Sequence, residues 1–108
     1  MNDNRLHNIL ELQKAFQRDL GNDIESQEFV NMTALGLSAE IHEALGETPW
    51  KPWKKNQKSD KEKFKEEVID IFTFTINMVL ASGMDDNELY AKFMNKHSLN
   101  KSRLLEGY

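Results

Sequence analysis

From Val68 to Leu80 the chain reads VIDIFTFTINMVL, apolar on nearly every side of a helix except for one carboxylate, Asp70, and one amide, Asn77. A helix that is hydrophobic all round belongs in an interior, so this segment is expected to be the central buried helix against which the others pack. An unpaired carboxylate inside such a helix is costly, and such groups are normally protonated, ion-paired or metal-bound. For Asp70 the plain alternative is a structural salt bridge to a neighbouring Lys or Arg. Glu67 and Asn77 share its stripe, one turn before it and two turns after.

The period is helical throughout, with no convincing alternating strand. A first helix is expected from Asp3 to Asp19, with Leu6, Ile9, Leu10, Phe16 and Leu20 on one stripe and Gly21 as its end. A second runs from Gln27 to Leu45, capped by Ser26 and stopped by Gly46. The third spans Asp60 to Ala81, where Ser59 and Glu62 have capping-box spacing and Gly83 closes the segment. The fourth starts near Asp86, with Asp85 and Glu88 as a further capping box. Pro49 and Pro52 in TPWKPWKKNQKS preclude a helix between the second and third segments. The expected architecture is an all-α four-helix bundle in one domain over residues 1–108, small enough to gain from dimerisation.

Carboxylates recur at i, i+3, a spacing that puts both on one helix face. With 18 acidic residues in 108, chance gives about three such pairs at that spacing, and the chain has four. Glu25/Glu28 and Asp85/Glu88 fall at helix starts. Glu40/Glu43 and Glu67/Asp70 do not. Four carboxylates converging from two helices repel one another unless a cation sits between them, and the usual occupant of an all-oxygen site is a hard divalent ion such as Mg²⁺. On the second helix Thr33, Gly36, Glu40, Glu43 and Glu47 form one stripe, and Val30, Ala34, Leu37, Ile41 and Leu45 the apolar one. Gly36 costs about 1 kcal/mol relative to Ala in a helix interior, which close approach of a ligand or another helix would offset. A solvated acidic face is the plain alternative for Glu40 and Glu43.

Lys51, Lys54, Lys55, Lys58, Lys61, Lys63 and Lys65 make up half of the 14 basic residues. Directly after an acidic metal face such a run suits an anionic ligand, a polyphosphate for example; the alternative is a solvated loop whose Trp50 and Trp53 tuck into the core or a dimer interface. Lys96, Asn100 and Arg103 share a stripe on the fourth helix, suited either to phosphate oxygens or to plain solvation. Gln13 interrupts the apolar stripe of the first helix, as a satisfied core amide or a reader of a base edge.

The net charge of −4 argues against general nucleic-acid or anionic-membrane binding. Without cysteine there is no disulfide, thiol nucleophile or Cys-ligated zinc. No apolar run approaches the length of a membrane span, the N-terminus lacks a signal-peptide core, and a cytoplasmic location is the default. His7, His42 and His97 lack metal-ligand spacing, and no P-loop is present.

E-x-x-E on one helix followed by E-x-x-D on the next resembles the all-α NTP pyrophosphohydrolases, which include MazG-like enzymes and dimeric dUTPases. The dimeric dUTPase branch fits best. EIHEALGETPWKPWK is similar to its acidic helix followed by a Trp/Lys motif. Its C-terminal Lys, Asn, Arg and Tyr motif is matched in spacing by Lys96, Asn100, Arg103 and Tyr108, and Gln13 matches a Gln of an N-terminal LELQ-like stretch. Two features depart from the family. Typical members carry extra helical segments before the C-terminal motif, so part of the site is either missing here or supplied by a partner chain. The family's Gln after the motif Arg is Leu104.

The resemblance implies Mg²⁺-dependent hydrolysis of a nucleoside triphosphate, dUTP foremost, to the monophosphate and pyrophosphate, with Mn²⁺ as a substitute ion. It places Glu40, Glu43, Glu67 and Asp70 on the metal, with Glu40 as the catalytic base. Lys96, Arg103, Tyr108, Lys51 and Lys54 would hold phosphates, and Gln13, Asn100, Trp50 and Asn77 the base or sugar. A homo-oligomer, dimer or higher, is expected. The alternatives are dCTP or a broader set of nucleotides, and a non-catalytic helical module that docks through the Trp/Lys loop.

Overall fold

The computed structural model describes residues 4–107, which form four helices: α1 (Arg5–Asp19), α2 (Gln27–Gly46), α3 (Lys61–Ser82) and α4 (Asp86–Leu105). Tyr108 lies outside the described residues. The all-α, four-helix class expected from the sequence is what is observed, with no strand among the described residues. No single helix is long and apolar enough to cross a membrane.

Local capping chemistry sets most boundaries. The Ser26 hydroxyl accepts from Phe29 N at 3.1 Å and Asp85 Oδ1 from Glu88 N at 2.8 Å, each satisfying an otherwise orphan donor of the first turn. Gly21 and Gly83 take φ of +83° and +81°, the left-handed conformation that closes a helix without a Cβ penalty. The expected start of α1 at Asp3 lies outside the described residues, and two of the expected cap and stop residues differ. The cap of α3 is Asp60, not Ser59: the Asp60 carboxylate accepts from Lys63 N at 3.0 Å, and an aspartate one residue further on supplies a stronger acceptor at the point where the helix begins. Gly46 is the last helical residue rather than a stop. The turn after it is held by the Thr48 hydroxyl, which donates to Leu45 O at 2.6 Å.

The core is short and lies at one end. Leu10 of α1 meets Ile76, Val79 and Leu80 of α3, with Ile24, Met84 and Leu89 packed against them. α3 packs mainly on α2 and less on α1. Val68, Ile69 and Phe72 are exposed, and the expectation of a wholly buried α3 holds only for Ile76 to Leu80. The α1 stripe fares similarly: Leu10 is buried, whereas Ile9, Phe16 and Leu20 face solvent. α4 leaves α3 at a bend of 105° and buries no residue. The radius of gyration is 17.3 Å, against about 13 Å for a compact chain of this length. The helices are well formed, and the bundle is open.

Candidate metal centre

α2 and α3 pack through the stripe that sequence reading assigned to function. Phe29, Thr33 and Ala44 are the buried residues of α2, and Gly36, Glu40 and Glu47 on the same side are half-buried. Much of the apolar stripe points outward instead: Ala34, Ile41 and Leu45 are exposed, and Val30 and Leu37 are half-buried. Gly36 permits this approach. A Cβ there would lie 2.7 Å from Phe74 Cζ and 2.9 Å from Cδ1, so the close neighbour of this glycine is the ring of α3.

One turn beyond Gly36, Glu40 meets Glu67 and Asp70. Each of the three offers an oxygen, and these oxygens lie within 4.8 Å of one another. Glu40 Oε2 and Glu67 Oε2 are enclosed and have no hydrogen-bond partner. Burial, the adjoining Glu67 carboxyl, the neighbouring Glu43 and the charge of Asp70 together push the Glu40 carboxyl up from 4.5 to about 7. Nothing cationic relieves the crowding, since none of these four carboxylates forms an ion pair among the described residues. Two enclosed, unpaired oxygens and a third within ligand distance suit a hard divalent cation, which takes oxygen ligands and carries the missing charge.

Asp70, expected to be buried, is exposed. The open side of α3 leaves it in solvent, and the enclosed carboxylates are Glu40 and Glu67. Glu43 is exposed and outside the converging group, though it acts on Glu40.

The base-reading candidates also meet. Asn77, which is buried, accepts at Oδ1 from Gln13 Nε2 at 2.9 Å and from Gln17 Nε2 at 3.3 Å. The Gln17 Oε1 in turn accepts from Asn22 Nδ2 at 2.7 Å. Gln17 was not singled out from the sequence; its place four residues from Gln13, facing the same helix, is the signal that was available. Asn77 lies about 10 Å along α3 from Asp70 at 1.5 Å per residue.

At the opposite end, the neck of the Trp/Lys loop is closed by Asp60 N donating to Glu47 O at 3.2 Å and by Lys63 Nζ at 3.9 Å from Glu47 Oε1. Gln57 staples the loop, accepting from Lys51 N at 2.9 Å and donating to Lys51 O at 2.6 Å and to Lys54 O at 2.9 Å. Trp50, Lys51, Lys54 and Lys58 help line a recess of about 320 Å³. Neither tryptophan enters the core. They meet edge-to-face at 5.7 Å between centroids, with Lys51 Nζ 5.7 Å from the Trp50 ring.

The fourth-helix candidates stay away from this groove. Lys96, Asn100 and Arg103 are exposed on α4. At 1.5 Å rise per residue, the 105° bend puts Lys96 about 20 Å from Asp70 and Arg103 about 27 Å from it. A recess of about 540 Å³ between His7, Leu10, Leu80 and Asp86 also lies apart from the carboxylates.

A family model described as dUTPase matches residues 5–87, which spans α1 to the first residues of α4 and stops short of Lys96, Asn100 and Arg103. No significant match was found among curated proteins or among solved structures. Because the family match takes in most of the chain, including both acidic helices, the protein belongs to the dUTPase family, in its all-α form.

Proposed function

We propose that the chain is a Mg²⁺-dependent nucleoside triphosphate pyrophosphohydrolase that converts dUTP and water to dUMP and pyrophosphate. The observation that carries this reading is the pair of enclosed, partnerless oxygens on Glu40 and Glu67, converging with Asp70 in a chain of the dUTPase family. Glu40, Glu67 and Asp70 would hold the ion, with Glu43 beside them; Mn²⁺ would substitute. When bound, the ion supplies charge neutralisation at the phosphates and activates a water.

The residues divide the groove by level. The Gln13 and Asn77 amides stand at one end. With Asn77 Oδ1 engaged by Gln13 and Gln17, the Gln13 carbonyl and the Asn77 Nδ2 group would meet a base that carries both a donor and an acceptor, as uracil does in its N3–H and carbonyls. The carboxylates occupy the middle. The Trp/Lys loop stands at the other end, with Lys51 and Lys54 as phosphate ligands and Trp50 beside them. A substrate lying base-first toward Asn77 brings its phosphates past the carboxylates toward the lysines. Glu40, beside the other carboxylates, would take the proton of the attacking water. That water adds to phosphorus as the bond between the α-phosphate and pyrophosphate breaks. Tyr108 and the α4 residues would hold the departing phosphates, with Asn100 at the sugar or base. A homo-oligomer would enclose the substrate and cover the exposed apolar stripes.

Incubation with Mg²⁺ and each dNTP in turn, followed by pyrophosphate measurement, tests the proposal. Turnover of dUTP above the others is expected. Preference for dCTP would shift the substrate and keep the chemistry, and no turnover of any nucleotide would refute the reading.

A further inference from the structure

Four side-chain amides stand in series between the end of α1 and the middle of α3: Asn22, Gln17, Asn77 and Gln13. We propose that Asn22 and Gln17 act as positioning residues: they set which way the Asn77 and Gln13 amides present donor and acceptor to the base, and so decide between uracil and cytosine. The proposal rests on the base-reading role given above to Gln13 and Asn77.

Three observations support it. The first is polarity. Asn22 Nδ2 donates to Gln17 Oε1 at 2.7 Å, Gln17 Nε2 donates to Asn77 Oδ1 at 3.3 Å, and Gln13 Nε2 donates to the same oxygen at 2.9 Å. An amide whose oxygen is engaged on one side has its nitrogen left for the other. Two groups remain at the inner end of the series, the Asn77 Nδ2 donor and the Gln13 Oε1 acceptor. Among the described residues neither atom has a hydrogen-bond partner, and neither is enclosed. The second observation is burial. Gln17 is 4% and Asn77 3% exposed. One amide turned over alone would set like atoms against each other where water gives no relief, so the series keeps or reverses its polarity as a unit. The third is place. Gln13, Leu12, Phe72, Thr73 and Ile76 line a recess of about 210 Å³ that offers apolar surface to a pyrimidine ring. Thr73 lies one turn from Asp70, on the stripe of α3 that carries Asn77.

Uracil and cytosine are opposites at this edge. Uracil has a donor at N3 and an acceptor at O4, whereas cytosine has an acceptor at N3 and a donor at N4. The observed polarity, with Gln13 Oε1 accepting from N3–H and Asn77 Nδ2 donating to O4, suits uracil. Turning all four amides over remakes the same three hydrogen bonds and suits cytosine instead. Asn22 stands at the outer end of the series, half-buried just after the turn that ends α1, with its nitrogen toward Gln17. A carboxylate at that position can only accept. Gln17 Nε2 would then donate outward, Asn77 Nδ2 would donate to Gln17 and Gln13, and Asn77 Oδ1 and Gln13 Nε2 would face the base.

The test compares wild type with Asn22→Asp by two readouts: the ratio of kcat/KM for dUTP over dCTP with Mg²⁺, and the ratio of affinities for dUMP over dCMP without metal, by calorimetry. Presenting like groups to both base atoms costs roughly 100-fold, so Asn22→Asp should lower each ratio by about that factor. A structural role alone would weaken both nucleotides together and leave the ratios where they were. A change below about tenfold, in protein whose helical circular dichroism is intact, would overturn the proposal. Asn22→Ala adds no charge and serves if Asn22→Asp does not fold. It frees the series to take either polarity and should bring both ratios toward one; unchanged ratios would again overturn the proposal. So would a wild-type preference for the cytosine nucleotides, which is opposite to the observed polarity. If wild type turns over no nucleotide but binds dUMP above dCMP, and Asn22→Asp removes that preference, the hydrolytic reading fails and the amide series stands. If wild type turns over dUTP and Asn22→Asp keeps its preference, the hydrolytic reading stands and the amide series fails. Wild-type protein that neither binds nor turns over these nucleotides would overturn both.

Discussion

Replacing Glu40 with Gln should make the metal-free protein more stable while abolishing its response to Mg²⁺. Glu40 carries a carboxyl pushed from 4.5 to about 7, so between those values the folded chain binds more protons than the unfolded one. Stability therefore falls as pH rises from about 4.5 to about 7 and is level above. At about 1.36 kcal/mol per pKa unit the full shift corresponds to about 3 kcal/mol. Glu40 is partly in solvent, so screening reduces this to about 1 kcal/mol. In urea titrations at pH 8 without metal, Glu40→Gln should exceed wild type by about that amount, and the advantage should vanish near pH 4.5. Mg²⁺ at a hundredfold excess over its Kd should add about 2.7 kcal/mol to wild type and little to the variant, which reverses their order. A variant less stable than wild type at pH 8 without metal, or one that Mg²⁺ stabilises equally, would refute the reasoning.

Further expectations concern the groove's frame and ends. Gly36→Ala gains about 1 kcal/mol of helix propensity, against about 1–3 kcal/mol of overpacking on Phe74. A net loss of about 1 kcal/mol by urea titration is expected, with weakened Mg²⁺ binding as α2 and α3 separate; unchanged affinity would show that the close approach does not set the ligand spacing. Asp70→Asn should nearly abolish nucleotide turnover with helical circular dichroism intact, whereas a binding module would keep its function. Asn77→Ala leaves Gln13 Nε2 and Gln17 Nε2 without their acceptor and should cost about 2–4 kcal/mol, read as a lower midpoint of thermal unfolding. Gln57→Ala frees the Lys51–Lys54 loop and should raise KM more than it lowers kcat; equal losses in both would separate the loop from substrate binding.

The features legible in the sequence were local ones. Ser26, Asp85 and Gly83 act within a turn of their own positions, so their spacing was sufficient. The acidic pairs were legible as well, because the i, i+3 rule places Glu67 and Asp70 on one face whatever α3 packs against. What the sequence could not show was which face of α2 meets α3. Its apolar stripe, Val30 to Leu45, is the stronger hydrophobic signal, yet the Thr33–Gly36–Glu40 stripe takes the contact because a glycine there admits the Phe74 ring. That inversion encloses Glu40. The apolar run around Asp70 misled for a related reason: helical periodicity reports that a surface will be covered, and not that its own chain covers it. Val68, Ile69 and Phe72 lie open, and the cost of burial falls on Glu40 and Glu67 instead.

Binding of Mn²⁺, followed by the loss of its free-ion electron paramagnetic resonance signal, tests the metal centre without requiring any substrate. Wild-type protein should bind the ion at every groove with an affinity that rises from pH 5.5 to 7.5, as Glu40 gives up its proton, and Glu67→Gln should lose most of that binding while keeping its helices. Wild-type protein that leaves the free-ion signal unchanged, or a Glu67→Gln variant that binds Mn²⁺ as tightly as wild type, would contradict the assignment of Glu40, Glu67 and Asp70 as the metal centre.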